Sequence, residues 1–343
     1  MKLLIIGDIH ISKQSSIINK RGVKYSQRLE HCIDSINWCE RLAEEKLCDK
    51  IIYLGDTFDQ PELDDETITA IKDIKWNKAL DHYFIVGNHE STENDLKYSS
   101  VKVLEGKNRY IIDKPDTLDF SVAGLELCFL PYITEVSRKP LNEYFPKTTN
   151  KRIIFSHNDL AGIQLGPVVS RTGFKLDEID QNCDLFINGH LHNGTWVNKK
   201  VRNLGILTGQ NFLENAELYP HNVMILDTYT MNYEDIENPY AFNFYKRNID
   251  VEEDIKKLDT IKNNAALYLV YNEKLIDSLR DKLSELKPKI AAERLVKALA
   301  TVLTKDLDIS NLQVDHLKLL VEFCSEKFGS NEYILYELQE ICK

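Results

Sequence analysis

The hydrophobic pattern of the chain switches repeatedly between two periods. Short apolar runs at residues 2–6, 49–54 and 83–86 each stop at a glycine followed by a polar residue: Gly7-Asp8, Gly55-Asp56 and Gly87-Asn88. Two later runs, residues 152–155 and 184–187, stop at Ser156-His157 and at Asn188-Gly189-His190. Between the first two runs, residues 29–46 carry Leu29, Cys32, Ile33, Ile36, Cys39, Leu42 and Ala43 at helical spacing. Residues 63–76 read as a second helix. Strands that alternate with helices predict an α/β layered fold. In open α/β sheets, ligands bind beyond the carboxyl ends of the strands, so separate segments can deliver their polar ends to one crevice.

Further short strands are expected at residues 202–207, 223–226 and 243–247. After about residue 250 the texture changes. Residues 254–262 and 273–286 look helical around a strand-like 267–271, and 291–304, 314–328 and 332–341 also look helical, with Pro288 and Gly329 as breaks. The expected organisation is a domain over 1–248, a small capping or DNA-binding module over 249–288, and a helical tail over 289–343. No internal repeat or low-complexity segment interrupts it.

Composition narrows the function classes. The 343 residues are 43% hydrophobic, enough for a real core. Lys plus Arg is 43 against 54 Asp plus Glu, a net charge of −11. That excludes a nucleic-acid coat bound through bulk positive charge. It leaves open an enzyme that meets phosphate through a cation. No apolar run approaches the roughly 18 residues of a membrane span, and no signal peptide opens the chain. Seven cysteines without a CxxC pair argue for a reducing compartment, and the expected location is cytoplasmic.

The candidate chemistry lies in the strand-end motifs. Asp8 and His10 are two apart in an extended segment, so both can face one cation. A capping aspartate and a core histidine would explain that tetrapeptide as well. Asp56 repeats the device from a second strand and could bridge two cations, or simply cap a turn. Asn88 offers a neutral oxygen, and the adjacent His89 points elsewhere, free for acid–base work. His157 follows a fourth strand, and His190 and His192 form an HxH pair with both rings on one face. Any one motif is weak. Together they hold five of the nine histidines, in the order GDxH, GDxxD, GNHE, SH, GHxH. A ligand set of Asp, His and Asn without thiolate suits Mn²⁺, Fe, Zn²⁺ or Mg²⁺-like ions.

On these stretches (GDIH, the helix 28–46, DKIIYLGDTFD, FIVGNHE, IIFSH and LFINGHLH) the chain resembles the calcineurin-like metallophosphoesterases, and within them the SbcD-type repair nucleases. The resemblance covers about residues 1–230, fades after about 250, and in length is nearer to the form found in T-even-like bacteriophages. It implies a β-sandwich flanked by helices, with a small α/β cap and a helical tail. It also implies two divalent ions, Mn²⁺ first and Mg²⁺ second. Asp8, His10, Asp56 and His192 would hold one ion; Asp56, Asn88, His157 and His190 would hold the other. His89 would protonate the leaving sugar oxygen. Asp59 is expected to hydrogen-bond the His89 ring, with a turn-capping role as the alternative.

The resemblance further implies DNA as substrate: 3′→5′ exonuclease action on duplex ends and endonuclease action on single strands, in recombination or break repair. Lys13, Lys20, Arg21, Lys24 and Arg28, and a second cluster of Lys199, Lys200 and Arg202, are the expected phosphate contacts. Either cluster could equally be an ordinary solvated loop. A homodimer and an SMC-like ATPase subunit are the implied protein partners. Apolar faces at Leu317, Leu320, Val321 and Cys324, and at Ile334, Leu335, Leu338 and Ile341, could dock that subunit or pack on their own chain. Two alternatives share the motifs: a phosphodiesterase for small nucleotides, and a non-catalytic scaffold. The presence of all seven ligand positions and His89 speaks against the scaffold.

Overall fold

The computed structural model describes residues 1–13, 20–92, 95–165 and 168–296. Within it two six-stranded sheets stack face to face. In the first, β1 (Lys2–Ile6), β2 (Lys50–Tyr53), β3 (Asp81–Ile85) and β4 (Arg109–Ile112) run parallel. The strands Asn222–Asp227 and Tyr233–Glu237 extend the sheet beyond β1. The second sheet runs β5 (Asp116–Phe120), β6 (Leu125–Leu130), β7 (Lys151–Ser156), Leu185–Asn188, Val201–Asn203 and Thr195–Trp196.

Side-chain alternation explains the layers. Leu3, Ile5, Ile52, Tyr83 and Ile85 turn inward to meet Leu127, Phe129, Ile153, Phe155, Leu185 and Ile187 of the other sheet. Their neighbours Leu4, Ile6, Ile51, Tyr53 and Phe84 turn outward, onto helix α1 (Gln27–Glu45). On the opposite surface Cys128, Leu130, Ile154 and Phe186 pack against Leu141 and Ile179 of two short helices, Leu141–Tyr144 and Leu176–Asn182. The order is helix, sheet, sheet, helix. Strands buried on both faces read as continuous apolar runs, which is the pattern seen along the sequence. The expected α/β sandwich flanked by helices is the observed fold.

Helix α1 starts where Ser26 accepts the Leu29 N–H, and its apolar stripe is the predicted one. Helix α2 (Asp65–Ala70) is shorter than the expected 63–76 and passes into a 3₁₀ turn, Ile71–Asp73. Its β-branched Thr67, Ile68 and Thr69 are weak helix formers.

A three-stranded parallel sheet follows: Asn243–Ile249, Ala265–Asn272 and Ile290–Val296. The sheet spans both expected boundaries: Asn243–Ile249 crosses 248/249, and Ile290–Val296, beyond 288/289, pairs with Ala265–Asn272. Residues 291–296 are a strand, not the helix their Ala, Glu, Arg and Leu content favours. A ladder to Ala265–Asn272 satisfies their backbone and overrides local propensity. Residues 254–262 form much of a 3₁₀ helix, Glu252–Thr260. Residues 1–296 make one compact unit. The expected helices beyond 296, with their docking faces, lie outside the described residues. Among the described residues no helix is long and apolar enough to cross a membrane.

Candidate metal centre

Five segments bring their polar ends together beyond β1, β2, β3, β7 and Leu185–Asn188. The local backbone is unusual there. His10, Asp56 and His190 have φ of +53°, +44° and +71°, in the left-handed region. Such conformations cost of order 1–3 kcal/mol each for non-glycine residues and persist only where surrounding structure enforces them. Gly55, at φ +105°, could not carry a side chain, because an added Cβ would collide with the His157 ring. A Cβ on Gly87 would strike the Asp56 carboxylate. Both glycines let the loops close on one another.

The polar groups gather into sets whose ligand-type atoms lie within 4.8 Å of one another. Asp8, His10 and His192 form one, Asp56, His157 and His190 a second, and a third, His10, Asp59 and His89, shares His10 with the first. Asp56 Oδ2 lies 3.1 Å from His157 Nε2 and 3.7 Å from His10 Nε2, so it stands between them. Asn88 Oδ1 is 3.1 Å from His157 Nε2 and 3.0 Å from His190 Nδ1.

These residues fit divalent cations. Asp8 Oδ2 is buried without a hydrogen-bond partner, 3.7 Å from His192 Nε2 and 4.0 Å from His10 Nε2. His10 Nε2 and His192 Nε2 approach to 3.0 Å. Two ligands at right angles on an ion with bonds of about 2.1 Å stand about 3.0 Å apart. An orphaned carboxylate oxygen facing two converging ring nitrogens is a cation's donor set.

The outer nitrogen of each histidine is also engaged. His10 Nδ1 bonds Asp59 Oδ1 at 3.0 Å, His157 Nδ1 the Leu54 carbonyl at 2.8 Å, His190 Nε2 Asp159 Oδ1 at 3.1 Å, and His192 Nδ1 Glu214 Oε1 at 2.6 Å. An oxygen on the outer nitrogen fixes the ring and leaves the inner nitrogen free to ligate. Glu214, Asp159 and Gln210 (which donates to Asp59 Oδ1 at 3.1 Å) are not foreseen in the sequence. Asp159 sits two residues after His157, a usable signal; Glu214 lies in a loop with no local signal. Glu90, in the GNHE motif, accepts the Phe58 and Gly87 N–H groups and ties two loops together.

Electrostatics follow from this crowding. Burial alone would lower the His157 pKa, but the Asp56 and Asp8 carboxylates outweigh it and raise it to about 9. Burial would raise the Asp56 carboxyl, but the His157 and His10 rings hold it below the usual range. His10 is lowered, burial prevailing over Asp59 and Asp56. Burial, with Asp56 nearby, pushes Glu90 up to about 8.

His89 lies at the rim with 46% of its side chain exposed. Its backbone N–H bonds Asp56 Oδ1 at 3.0 Å, and its ring stands edge-on to His10, centroids 4.7 Å apart. The Asp59 expectation needs correcting. Its carboxylate is taken by His10 and Gln210 and stays 3.8 Å from His89 Nδ1; the Asp59 carbonyl accepts from that nitrogen instead, at 3.2 Å.

The basic clusters also divide. Arg28 is fully buried, and its guanidinium donates to the carbonyls of Ile9, His10, Thr208 and Gly209. It braces the loop after β1 and is not the exposed phosphate contact expected. Arg202 is buried in its strand and paired with Asp235 at 3.1 Å, so it is not a loop cation either. Arg21 and Lys24 pair with Glu66 and Asp73. Lys200 donates to the Asp180 and Cys183 carbonyls at the end of the helix Leu176–Asn182. Lys13, Lys20 and Lys199 are exposed.

A two-sheet sandwich whose strand ends gather paired carboxylate–imidazole sets defines a metallophosphoesterase type of enzyme. Residues 1–194 match the calcineurin-like phosphoesterases, and the chain belongs to that family of metal-dependent phosphoester hydrolases. Two solved structures are similar in part. A hypothetical protein from Thermus thermophilus is 11% identical over 70% of this chain and 100% of its own, with a TM-score of 0.38. A dimetal phosphatase from Danio rerio is 12% identical over 69% of this chain and 99% of its own, with a TM-score of 0.36. No curated protein matches.

Proposed function

We propose that this protein is a two-metal DNA phosphodiesterase of the SbcD type. The observation that carries hydrolysis is the pair of carboxylate–imidazole sets joined at Asp56, with His89 exposed beside them. The DNA substrate, cleaved as exonuclease and endonuclease, is supported by the resemblance of the strand-end stretches. Asp8, His10, Asp56 and His192 would hold one divalent ion, and Asp56, Asn88, His157 and His190 the second, with Mn²⁺ the first expectation. Such ions supply Lewis acidity at the phosphate oxygens and lower the pKa of a water toward neutrality. The Asp59 carbonyl orients the His89 ring through Nδ1, and its Nε2 donates a proton to the departing sugar oxygen. The same resemblance supports an SMC-like ATPase subunit as partner.

A Mn²⁺-dependent nuclease assay on the protein and on His89→Ala, with metal content measured alongside, tests this. His89→Ala should keep its metal and lose roughly 10²–10⁴-fold in kcat. Full cleavage by a metal-loaded His89→Ala removes His89 from the acid role. A protein that hydrolyses a cyclic nucleotide and leaves duplex and single-stranded DNA intact is not a nuclease.

A further inference from the structure

A second basic surface lies apart from the clusters singled out in the sequence. It is a groove of about 730 Å³ formed by the segment after β6, the segment before β7 and the helix Leu176–Asn182. Arg138, Lys139, Lys147 and Lys175 line it, with Glu178 as the one carboxylate. Glu178 accepts the Leu141 N–H, and Arg138 is held by Glu135 at 2.6 Å. Lys139, Lys147 and Lys175 are exposed, and none has an ion-pair partner among the described residues. Elsewhere some lysines face a carboxylate, as Lys46, Lys50 and Lys102 do, and others are exposed without one among the described residues, as Lys107 and Lys114 are; what sets these three apart is that they share one concavity with Arg138. On a chain of net charge −11, three unpaired lysines in a concavity concentrate positive potential at one place.

The walls of this groove are continuous with the supports of the metal centre. Tyr132, in the segment leading to Arg138, has its ring 5.9 Å from that of His190. Phe174, next to Lys175, donates its N–H to the Asp159 carbonyl at 3.0 Å, and the Asp159 carboxylate holds His190. The Gly173 N–H bonds Glu135 at 3.0 Å, tying the two segments together. Through Arg138 and Lys175 the groove is therefore linked to the His190 side of the centre, while Lys147 stands before β7, at the other end of that strand.

We propose that this groove holds the phosphate backbone of one polynucleotide strand whose scissile phosphate lies at the metal centre. The choice of ligand rests on the nuclease reading. Lysines and an amide such as Asn142 are the side chains that position nucleic-acid backbones without reading sequence. A membrane surface would call for a protruding apolar anchor, and this groove is a concavity whose lining side chains, Pro140 apart, are charged or amide.

The test is oligonucleotide binding by the full chain in EDTA, followed by fluorescence anisotropy over a salt series. The variant carries Lys139→Gln, Lys147→Gln and Lys175→Gln; all three side chains are exposed, so the core is untouched. Its affinity for a labelled single strand should fall roughly tenfold or more at 0.1 M salt, and the slope of log K against log salt should shrink by about 2, given about 0.7 per phosphate contact. A control with Lys107→Gln and Lys114→Gln, exposed lysines outside the groove, should keep the parent slope. An unchanged slope in the triple variant, an equal loss in the control, or a parent that binds no single strand each overturns the proposal. The nuclease reading is judged separately. A parent that cuts DNA while the triple variant binds as the parent does removes only the groove; a parent that binds through the groove but cuts nothing removes the nuclease, and with it the scissile phosphate at the centre, and leaves the groove as a strand-binding surface.

Discussion

Each of the four imidazoles in the centre is held at its outer nitrogen by an oxygen, three of them side-chain carboxylates. Losing such a partner typically weakens metal affinity 10–100-fold. Asp59→Asn and Glu214→Gln should each do so, as read by metal titration of the stripped protein. The Asp59 carboxylate serves His10 while its backbone carbonyl serves His89, so Asp59→Asn, once saturated with metal, should keep a kcat close to the parent's. A loss as large as that of His89→Ala would return Asp59 to the role expected from sequence. That role was misread because GDxxD spacing places Asp59 near both rings without saying which atom faces which.

At the scale of elements, the metal loop after β1 rests on helix α1 through Arg28. Four carbonyls share its buried guanidinium. Arg28→Met keeps the volume and removes every donor, leaving buried acceptors unsatisfied, so urea unfolding should show a loss of about 3 kcal/mol. The folded fraction should bind DNA as the parent does; a stable variant with weakened DNA binding would contradict the structural role. Helix α1 and strands β1, β2 and β3 were legible because both sheet faces are buried and their periods are clean. The strand Ile290–Val296 was not, because its ladder partner ends 18 residues earlier, at Asn272, and its composition favours helix.

For the whole molecule, the metal centre couples to pH. In the metal-free protein His157 is raised from 6.5 to about 9, chiefly by Asp56 and Asp8 acting against burial. A raised folded-state pKa contributes stability that is fully present below pH 6.5 and lost as pH rises through about 9. A metal requires the neutral ring, so proton and metal compete. Metal affinity should therefore climb between pH 7 and 9 by about tenfold per unit, with about one proton released on binding. Calorimetry in two buffers of different ionisation enthalpy checks this; a flat affinity over that range would contradict it.

The sequence by itself determined the strand–helix alternation, through local periodicity, and set the seven candidate ligand positions and His89 at strand ends; the sandwich class came with the family resemblance of those motifs. Tertiary structure alone decided which cations are free. Arg28 and Arg202 look like loop charges in a linear reading and are consumed by carbonyls and Asp235 in the fold. Lys139, Lys147 and Lys175 form no local cluster and meet only when the segments after β6 and before β7 close against the helix Leu176–Asn182. Whether a charge is buried, paired or open depends on partners distant in the chain, and only the packed molecule brings those together.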